Sequence, residues 1–314
     1  MGPSNPKETY FLPLVKFIVL MEFIFYLKKF YIITRVYKHP VLYFFSILIY
    51  PKKEKVLKFI DGTATSGISI KTFYSTALVK NASMLRNKQW KYNYSGTEVR
   101  LYTVDPIGPK IEVFQKDEYG FLNVNNKEVI DIGANIGDTT LYFILKSAKK
   151  VIAVEPYPAN CEIIKENLRT NFVDEKIAIV LNCGIGLRGK ISISKELINS
   201  GSSGSVSDTQ GKIIDILPLS DITSLYNIEH GVLKMDCEGC EYESLVDESC
   251  DILRRFDQMQ IEYHYGPWIL IEKLQNCGFS VSYTSPKFVP NINVDRFMTL
   301  RGYIYATKKE NIKV

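Results

Sequence analysis

Val129-Ile130-Asp131-Ile132-Gly133-Ala134-Asn135-Ile136-Gly137-Asp138-Thr139-Thr140 is the stretch on which the fold turns. It opens with a short apolar run, Val129–Ile132, broken only by Asp131. Two glycines follow, and helical spacing of apolar side chains takes over from Thr139 to Ser147. A short apolar strand that passes into a helix through a glycine-rich turn marks the first unit of a parallel α/β sheet. Gly133 and Gly137 let the backbone turn tightly and approach a ligand closely. A helix that starts near Asp138 points its free N–H groups at the same place.

The rhythm continues downstream. Val151–Val154, Ile177–Leu181, Val232–Met235 and Met259–Glu262 read as further short strands. Pro158–Asn171 reads as an amphipathic helix with Cys161, Ile164 and Leu168 on one face, and Trp268–Gln275 as a helix that stops at Gly278. Fully apolar strands alternating with helices mean a parallel sheet covered on both faces. Phe279–Tyr283 and Arg301–Ala306 have little helix between them, which predicts an antiparallel finish. Upstream, Trp90–Tyr94 and Glu98–Val104 alternate around Ser95-Gly96-Thr97 and read as a hairpin. Lys110–Gln115 reads as one more strand. The expected organisation is an apolar, basic helical segment over 1–55, a small β-containing lead-in over 56–123, and an α/β domain over 124–314. Asn199–Ser207 (NSGSSGSVS) is a loop, either close to a ligand or simply solvated.

Composition bounds the partners. The chain has 314 residues, 46% apolar and 23% charged, and its 20 tyrosines and 17 phenylalanines imply a core rich in rings. Net charge is +5, yet residues 1–60 alone hold ten basic and three acidic side chains, so the rest is slightly acidic. That argues against nucleic acid as the partner. Phe11–Tyr50 is the most apolar stretch. Lys16 and Glu22 interrupt Phe11–Leu27, and a charge at mid-membrane costs about 3 kcal/mol. Val41–Tyr50 reaches only about half a span, and no signal-peptide cleavage site follows. Two readings of residues 11–55 stay open. One is a helix pair packed on protein. The other is an interfacial anchor that sets Lys28, Lys29, Lys52, Lys53 and Lys55 near lipid headgroups. The six cysteines, at 161, 183, 237, 240, 250 and 277, show no small-domain disulfide framework. Cys237-x-x-Cys240 lacks the second pair that structural zinc needs. The expectation is inert, reduced thiols in a cytoplasmic protein, with any membrane contact peripheral.

The spacing of the first motif narrows the ligand. A dinucleotide loop reads G-x-G-x-x-G and admits a pyrophosphate, whereas Gly133 and Gly137 are spaced G-x-x-x-G behind the acid Asp131. A carboxylate there suits a ligand bearing an ammonium and a sulfonium, S-adenosylmethionine (SAM). The second strand ends in Glu155-Pro156, where a carboxylate can accept from two ribose hydroxyls. The alternative for Glu155 is a solvated loop acid.

A second motif, Val232-Leu233-Lys234-Met235-Asp236-Cys237-Glu238-Gly239-Cys240-Glu241, ends an apolar strand in closely spaced acids. Like charges so close raise at least one pKa, which favours a general base. They also suit a cation, although no residue is assigned as a metal ligand. The alternative is a helix N-terminus whose acids face the dipole. Among the three histidines, His39, His230 and His264, only His264 sits at a strand tip facing the site, either with a role there or in a structural hydrogen bond.

At these residues the chain resembles the FkbM-type family of SAM-dependent methyltransferases. The likeness lies in VIDIGANIGDTTLYF, VIAVEPYPANCEIIKENLRTN, LKMDCEGCEYESL, and IEYH followed by the helix ending in LQNCGF, from about Glu128 to Phe279. It implies a class I, Rossmann-like methyltransferase fold with an N-terminal helical and β-hairpin extension. It also implies SAM as donor, with O-methylation of a small molecule or glycan. By the same likeness Asp131, Gly133, Ala134, Asn135, Gly137, Glu155 and Pro156 bind the cofactor. Asp236, Glu238 and His264 lie at the methyl-transfer end, where Asp236 or His264 takes the hydroxyl proton. Cys237 and Cys240 stand where the family usually has aliphatic residues. Two rivals remain: a nicotinamide-dependent oxidoreductase, which lacks its G-x-G-x-x-G here, and a non-catalytic membrane-surface scaffold, against which the intact acids speak.

Overall fold

A computed structural model of the chain describes residues 89–103, 112–193, 212–290 and 298–309, with positions 34, 37–39, 41, 55–58 and 64–67 before them. Apart from those few positions, the N-terminal segment lies outside the described residues, and so does the whole Asn199–Ser207 loop. Among the described residues no helix is long and apolar enough to cross a membrane. The chain divides into two compact units, Met1–Leu85 and Arg86–Val314. In the first, β1 (Lys55–Lys58) pairs antiparallel with β2 (Ala64–Gly67).

The second unit begins with the expected hairpin, β3 (Gln89–Tyr94) and β4 (Thr97–Tyr102). Ser95 and Gly96 both have positive φ, as a two-residue turn between right-twisted strands requires. The hairpin is fastened to a later helix, so it is part of this unit rather than of a separate lead-in. The Asn167 side chain accepts from the Tyr102 N–H at 2.6 Å and donates to the Tyr102 carbonyl at 3.0 Å, while Asn171 does the same for Arg100 at 2.9 and 2.6 Å. The strand expected at Lys110–Gln115 is instead a helical turn, α1 (Glu112–Gln115). Val113 and Phe114 are adjacent and both buried, which a strand cannot achieve against a single core face. Phe114 stacks edge-on against Tyr94 and Tyr142.

The α/β core follows as β5 (Glu128–Ile132), α2 (Asp138–Leu145), β6 (Lys150–Val154), α3 (Pro158–Thr170) and β7 (Ala178–Leu181). A small sheet, absent from the sequence reading, comes next: β8 (Gly184–Ile185), β9 (Gly189–Ile193) and β10 (Lys212–Leu217), ordered β8-β10-β9. Then come α4 (Leu219–Leu225), β11 (Gly231–Met235), α5 (Glu241–Leu245), α6 (Cys250–Leu253), β12 (Phe256–Tyr263) and α7 (Trp268–Asn276). Three strands close the chain: β13 (Phe279–Tyr283), β14 (Lys287–Pro290) and β15 (Met298–Lys308).

The main sheet runs β13-β15-β12-β11-β5-β6-β7, and β14 also pairs with β15. β7, β6, β5, β11 and β12 are mutually parallel, and β15 runs antiparallel to β12, β13 and β14. The chain moves outward from β5 through β6 and β7, then restarts on the other side at β11. Strand order therefore reverses between β5 and β11, and a crevice opens at their carboxyl ends.

Both faces are buried. Ile130, Ile132, Leu233 and Met235 belong to one core, and Val129, Val151 and Val232 to the other. Burial of each such side chain contributes about 1.5–3 kcal/mol. The thiol expectation is corrected: Cys237 is bridged to Cys240 and Cys250 to Cys277, with Cα separations of 5.5 and 5.0 Å. Cys161 and Cys183 are the free, buried ones. Disulfides persist in oxidising surroundings and otherwise occur as redox-active pairs, so thiol content no longer supports a cytoplasmic placement.

Candidate functional site

A cavity of about 380 Å³ lies at the carboxyl ends of β5, β6 and β11 and under the small sheet. Its floor is set by how closely β5 and β11 approach. Gly133 has φ +73°, and a Cβ there would lie 1.7 Å from the Asp236 carbonyl oxygen. Only glycine allows both strand tips to turn at that point. Gly133 and Ala134 donate to the Val154 carbonyl at 3.0 and 3.2 Å, which ties the loop to β6. Gly137 has φ +83°, and a Cβ on it would press on Ile164 at 3.0 Å, so this glycine sets how close α2 and α3 lie.

Glu155 is the polar centre of the cofactor side. Its Oε2 accepts from the Asn135 N–H at 2.9 Å, and its Oε1 accepts from the Tyr157 N–H at 3.0 Å and from Asn160 Nδ2 at 3.2 Å. Burial pushes the carboxyl up to about 7, and those hydrogen bonds oppose the shift. A carboxylate offers about four lone-pair sites, and three are taken. Glu155 therefore keeps one lone-pair site for a further donor. A further open acceptor is Asn160, whose Oδ1 is buried without a hydrogen bond while the residue lines the cavity. The sequence reading missed Asn160, although it follows Glu155-Pro156 by one turn at the start of α3. Beyond it, Tyr157, Cys183, Ile185, Ile191, Ile193 and Ile216 form an apolar end.

Asp131 is corrected. It is fully buried, with Oδ2 accepting from the Thr139 and Thr140 hydroxyls at 2.7 Å each, and with Lys234 Nζ 3.1 Å from Oδ1. Strand alternation explains this: Ile132 faces the cavity, so Asp131 faces the other side of the sheet. Lys234 lies directly across from it on β11 and donates to the Ile132 and Gly133 carbonyls at 3.1 and 2.9 Å. Burial disfavours the ammonium, but Asp131 and Asp236 outweigh that and hold its pKa above the ordinary lysine value. Asp131 is thus a neutralised strut behind the loop, not a ligand for a cation.

The other end of the cavity is acidic. Asp236 and Glu238 both line it, with Glu238 held in the left-handed region at φ +59°. Arg301 from β15 clasps Glu238 at 2.8 Å. His264 is corrected in position: it is only 1% exposed and sits behind the wall. Its Nδ1 lies 2.9 Å from Oε1 of the buried Glu241, and its Nε2 lies 3.4 Å from Glu238 and 3.8 Å from Asp236. Burial works against the imidazolium, yet Glu241, Glu238 and Asp236 together raise the pKa above the ordinary histidine value. A raised pKa behind the wall suits a positioning residue better than a proton acceptor.

Of the expected site residues, Gly133, Asn135, Glu155, Pro156, Asp236 and Glu238 meet in one cavity. Asp131, Ala134, Gly137 and His264 support it from behind. Arg301, Lys234 and Asn160 were missed.

Residues 131–305 match the family model described as the methyltransferase FkbM domain. None of the curated proteins matches the chain in sequence. Solved structures of similar shape include an FkbM methyltransferase from Methylobacillus flagellatus KT, at 15% identity and TM-score 0.39, covering 76% of this chain and 55% of that one. Another is the precorrin-6y C5,15-methyltransferase of Geobacter metallireducens GS-15, at 14% identity and TM-score 0.40, covering 67% and 94%. A third is the M. jannaschii tRNA m1G37 methyltransferase, at 12% identity and TM-score 0.38, covering 71% and 57%. The chain thus spans just over half the length of two of these three.

Proposed function

The chain belongs to the FkbM methyltransferase family, and from that premise we propose that it moves the methyl group of SAM to a hydroxyl of a small molecule or glycan. SAM is its methyl donor. The observation that carries the acceptor reading is the acidic end of the cavity, where Asp236 lies beside the backbone that receives the donor. Glu155 and Asn160 fit the ribose, and the isoleucine-lined end fits the adenine. A donor held in this way would place its sulfonium on the side of Asp236 and Glu238.

Sulfonium is a good leaving group, so alignment supplies most of the acceleration. The acceptor oxygen forms a bond to the methyl carbon as the carbon–sulfur bond breaks. The bonding pair goes to sulfur, leaving a neutral thioether, and the hydroxyl proton passes to the Asp236 carboxylate. Arg301 keeps Glu238 from occupying that place. The nicotinamide reading gives way to the family match. The acidic cavity and the slightly acidic chain beyond residue 60 support a small acceptor over RNA.

Radiolabelled SAM incubated with the protein and fractionated cell extract tests this. Label in a low-molecular-weight or glycan fraction, as an alkali-stable methyl ether, is the expected result. Label recovered in RNA would overturn the acceptor class.

A further inference from the structure

We infer that Asp236, Glu262 and His264 form a binding site for one divalent cation, of the class that Mn²⁺ represents, at the carboxyl ends of β11 and β12. One ligand atom from each residue lies within 4.8 Å of the other two. A single ion with bonds of about 2.0–2.6 Å can span such a set with small side-chain adjustments.

The buried histidine nitrogen is the independent sign of a ligand. His264 Nε2 makes no hydrogen bond, in a side chain that is 1% exposed. Its other nitrogen meets Glu241, a carboxylate with no solvent exposure, at 2.9 Å. An anion at that distance requires Nδ1 to donate, which leaves Nε2 for a second partner. Nε2 faces the Asp236 and Glu238 carboxylates at 3.8 and 3.4 Å. Those two anions favour a positive charge at Nε2, and a bound cation there takes the place of a proton. A carboxylate that orients the far nitrogen of a histidine is the arrangement that supports metal-binding histidines. Glu241 is itself fixed, since the Cys237 N–H donates to the same Oε1 at 3.2 Å.

Charge around the site points the same way. Glu118, Glu262 and Asp236 all bear on Tyr303, whose hydroxyl donates to Glu118 at 2.6 Å. Arg301 pairs with Glu238 and Lys234 with Asp131, and Lys234 also bears on Asp236. Two carboxylates and one imidazole suit a hard-to-borderline ion such as Mn²⁺. Asp236 belongs to both the triad and the cavity wall, so the ion would adjoin the acceptor end of the cavity. That last role rests on the methyl-transfer reading, whereas the binding site does not.

Titration of the full chain with Mn²⁺ alone, followed by loss of the free-ion electron paramagnetic resonance signal, tests the site. One saturable site is expected. Glu262→Gln and His264→Gln should each weaken it at least about tenfold, and Glu241→Gln by about 10–100-fold. Glu262 is half-buried, so its variant keeps the test open if a change at the buried His264 impairs folding. Absence of saturable Mn²⁺ binding, or equal affinity in wild type and Glu262→Gln, would overturn the site. Calorimetry with SAM on the same samples separates the two readings. SAM binding without Mn²⁺ binding removes the cation site and leaves the methyltransferase. Mn²⁺ binding without SAM binding upholds the site and removes its role at the acceptor.

Discussion

The two ends of the cleft are built by different physics. The donor end, around Gly133, Asn135, Glu155 and Asn160, spans 28 consecutive positions and is fixed largely by backbone hydrogen bonds. The acceptor end, around Asp236, Glu238, Glu241, His264 and Arg301, joins β11, β12 and β15 through charge. A local motif can specify the first. Only the closed sheet can assemble the second, because Arg301 reaches Glu238 from 63 positions away. Backbone geometry survives the loss of a side chain, whereas a charge cluster with one member removed is left unbalanced.

The sharpest way to break this contrast is Asp236→Ala. Turnover should fall by about 10²–10⁴-fold, the usual worth of a positioned proton acceptor. SAM affinity should stay within a few-fold, since Asp236 meets the donor loop through its backbone carbonyl. Single-turnover rates with labelled SAM, set beside calorimetric affinities, give both numbers. Turnover near the wild-type value would remove Asp236 from the chemistry. A parallel collapse of SAM affinity would mean that the two ends are one energetic unit.

Next in size is the buried pair that joins the two ends from behind. Lys234→Met leaves Asp131 charged with no solvent exposure, and removal of one partner of a buried pair costs about 3–5 kcal/mol. Adding Asp131→Asn should recover most of that, because the Thr139 and Thr140 hydroxyls can still bond a neutral amide oxygen. Urea midpoints of the two single variants and the double variant measure this. A cost below about 1 kcal/mol for Lys234→Met would mean that the pair is not charged in the fold.

The sequence revealed the donor end better than the acceptor end for the same reason. Short apolar strands, the helix starts and the Gly133–Gly137 turn are local signals, and the parallel sheet, the crevice and Glu155 followed from them. The Asp131 reading failed on strand alternation. The residue adjoins the loop in sequence but faces the opposite side of the sheet, where Lys234 neutralises it. The small sheet β8-β10-β9 was missed because β8 has two residues and β9 is half polar. Strand Lys110–Gln115 failed because four alternating residues also fit a helical turn. The disulfides were illegible because pairing depends on where α6 and the end of α7 come to lie.

The smallest effect sharpens the donor end. Glu155→Gln keeps the size of the side chain and removes its charge, so SAM affinity should fall by about tenfold, at the lower end of what a charged hydrogen bond contributes. The pH dependence carries more information than the size. Burial raises the folded pKa of Glu155 to about 7 from an ordinary 4.5. Between those values the folded protein holds a proton that the unfolded chain has released, so stability without SAM falls as pH rises through that window. SAM needs the free lone pair of the ionised group, so wild-type affinity should instead rise as pH passes about 7. Folding and donor binding thus respond to pH with opposite signs at one carboxyl, and Glu155→Gln should flatten both slopes. Chemical denaturation and calorimetry from pH 5 to 8 on both proteins would show it. A wild-type stability that does not fall across that window relative to Glu155→Gln would mean that the carboxyl folds ionised, with its three donors outweighing the cost of burial.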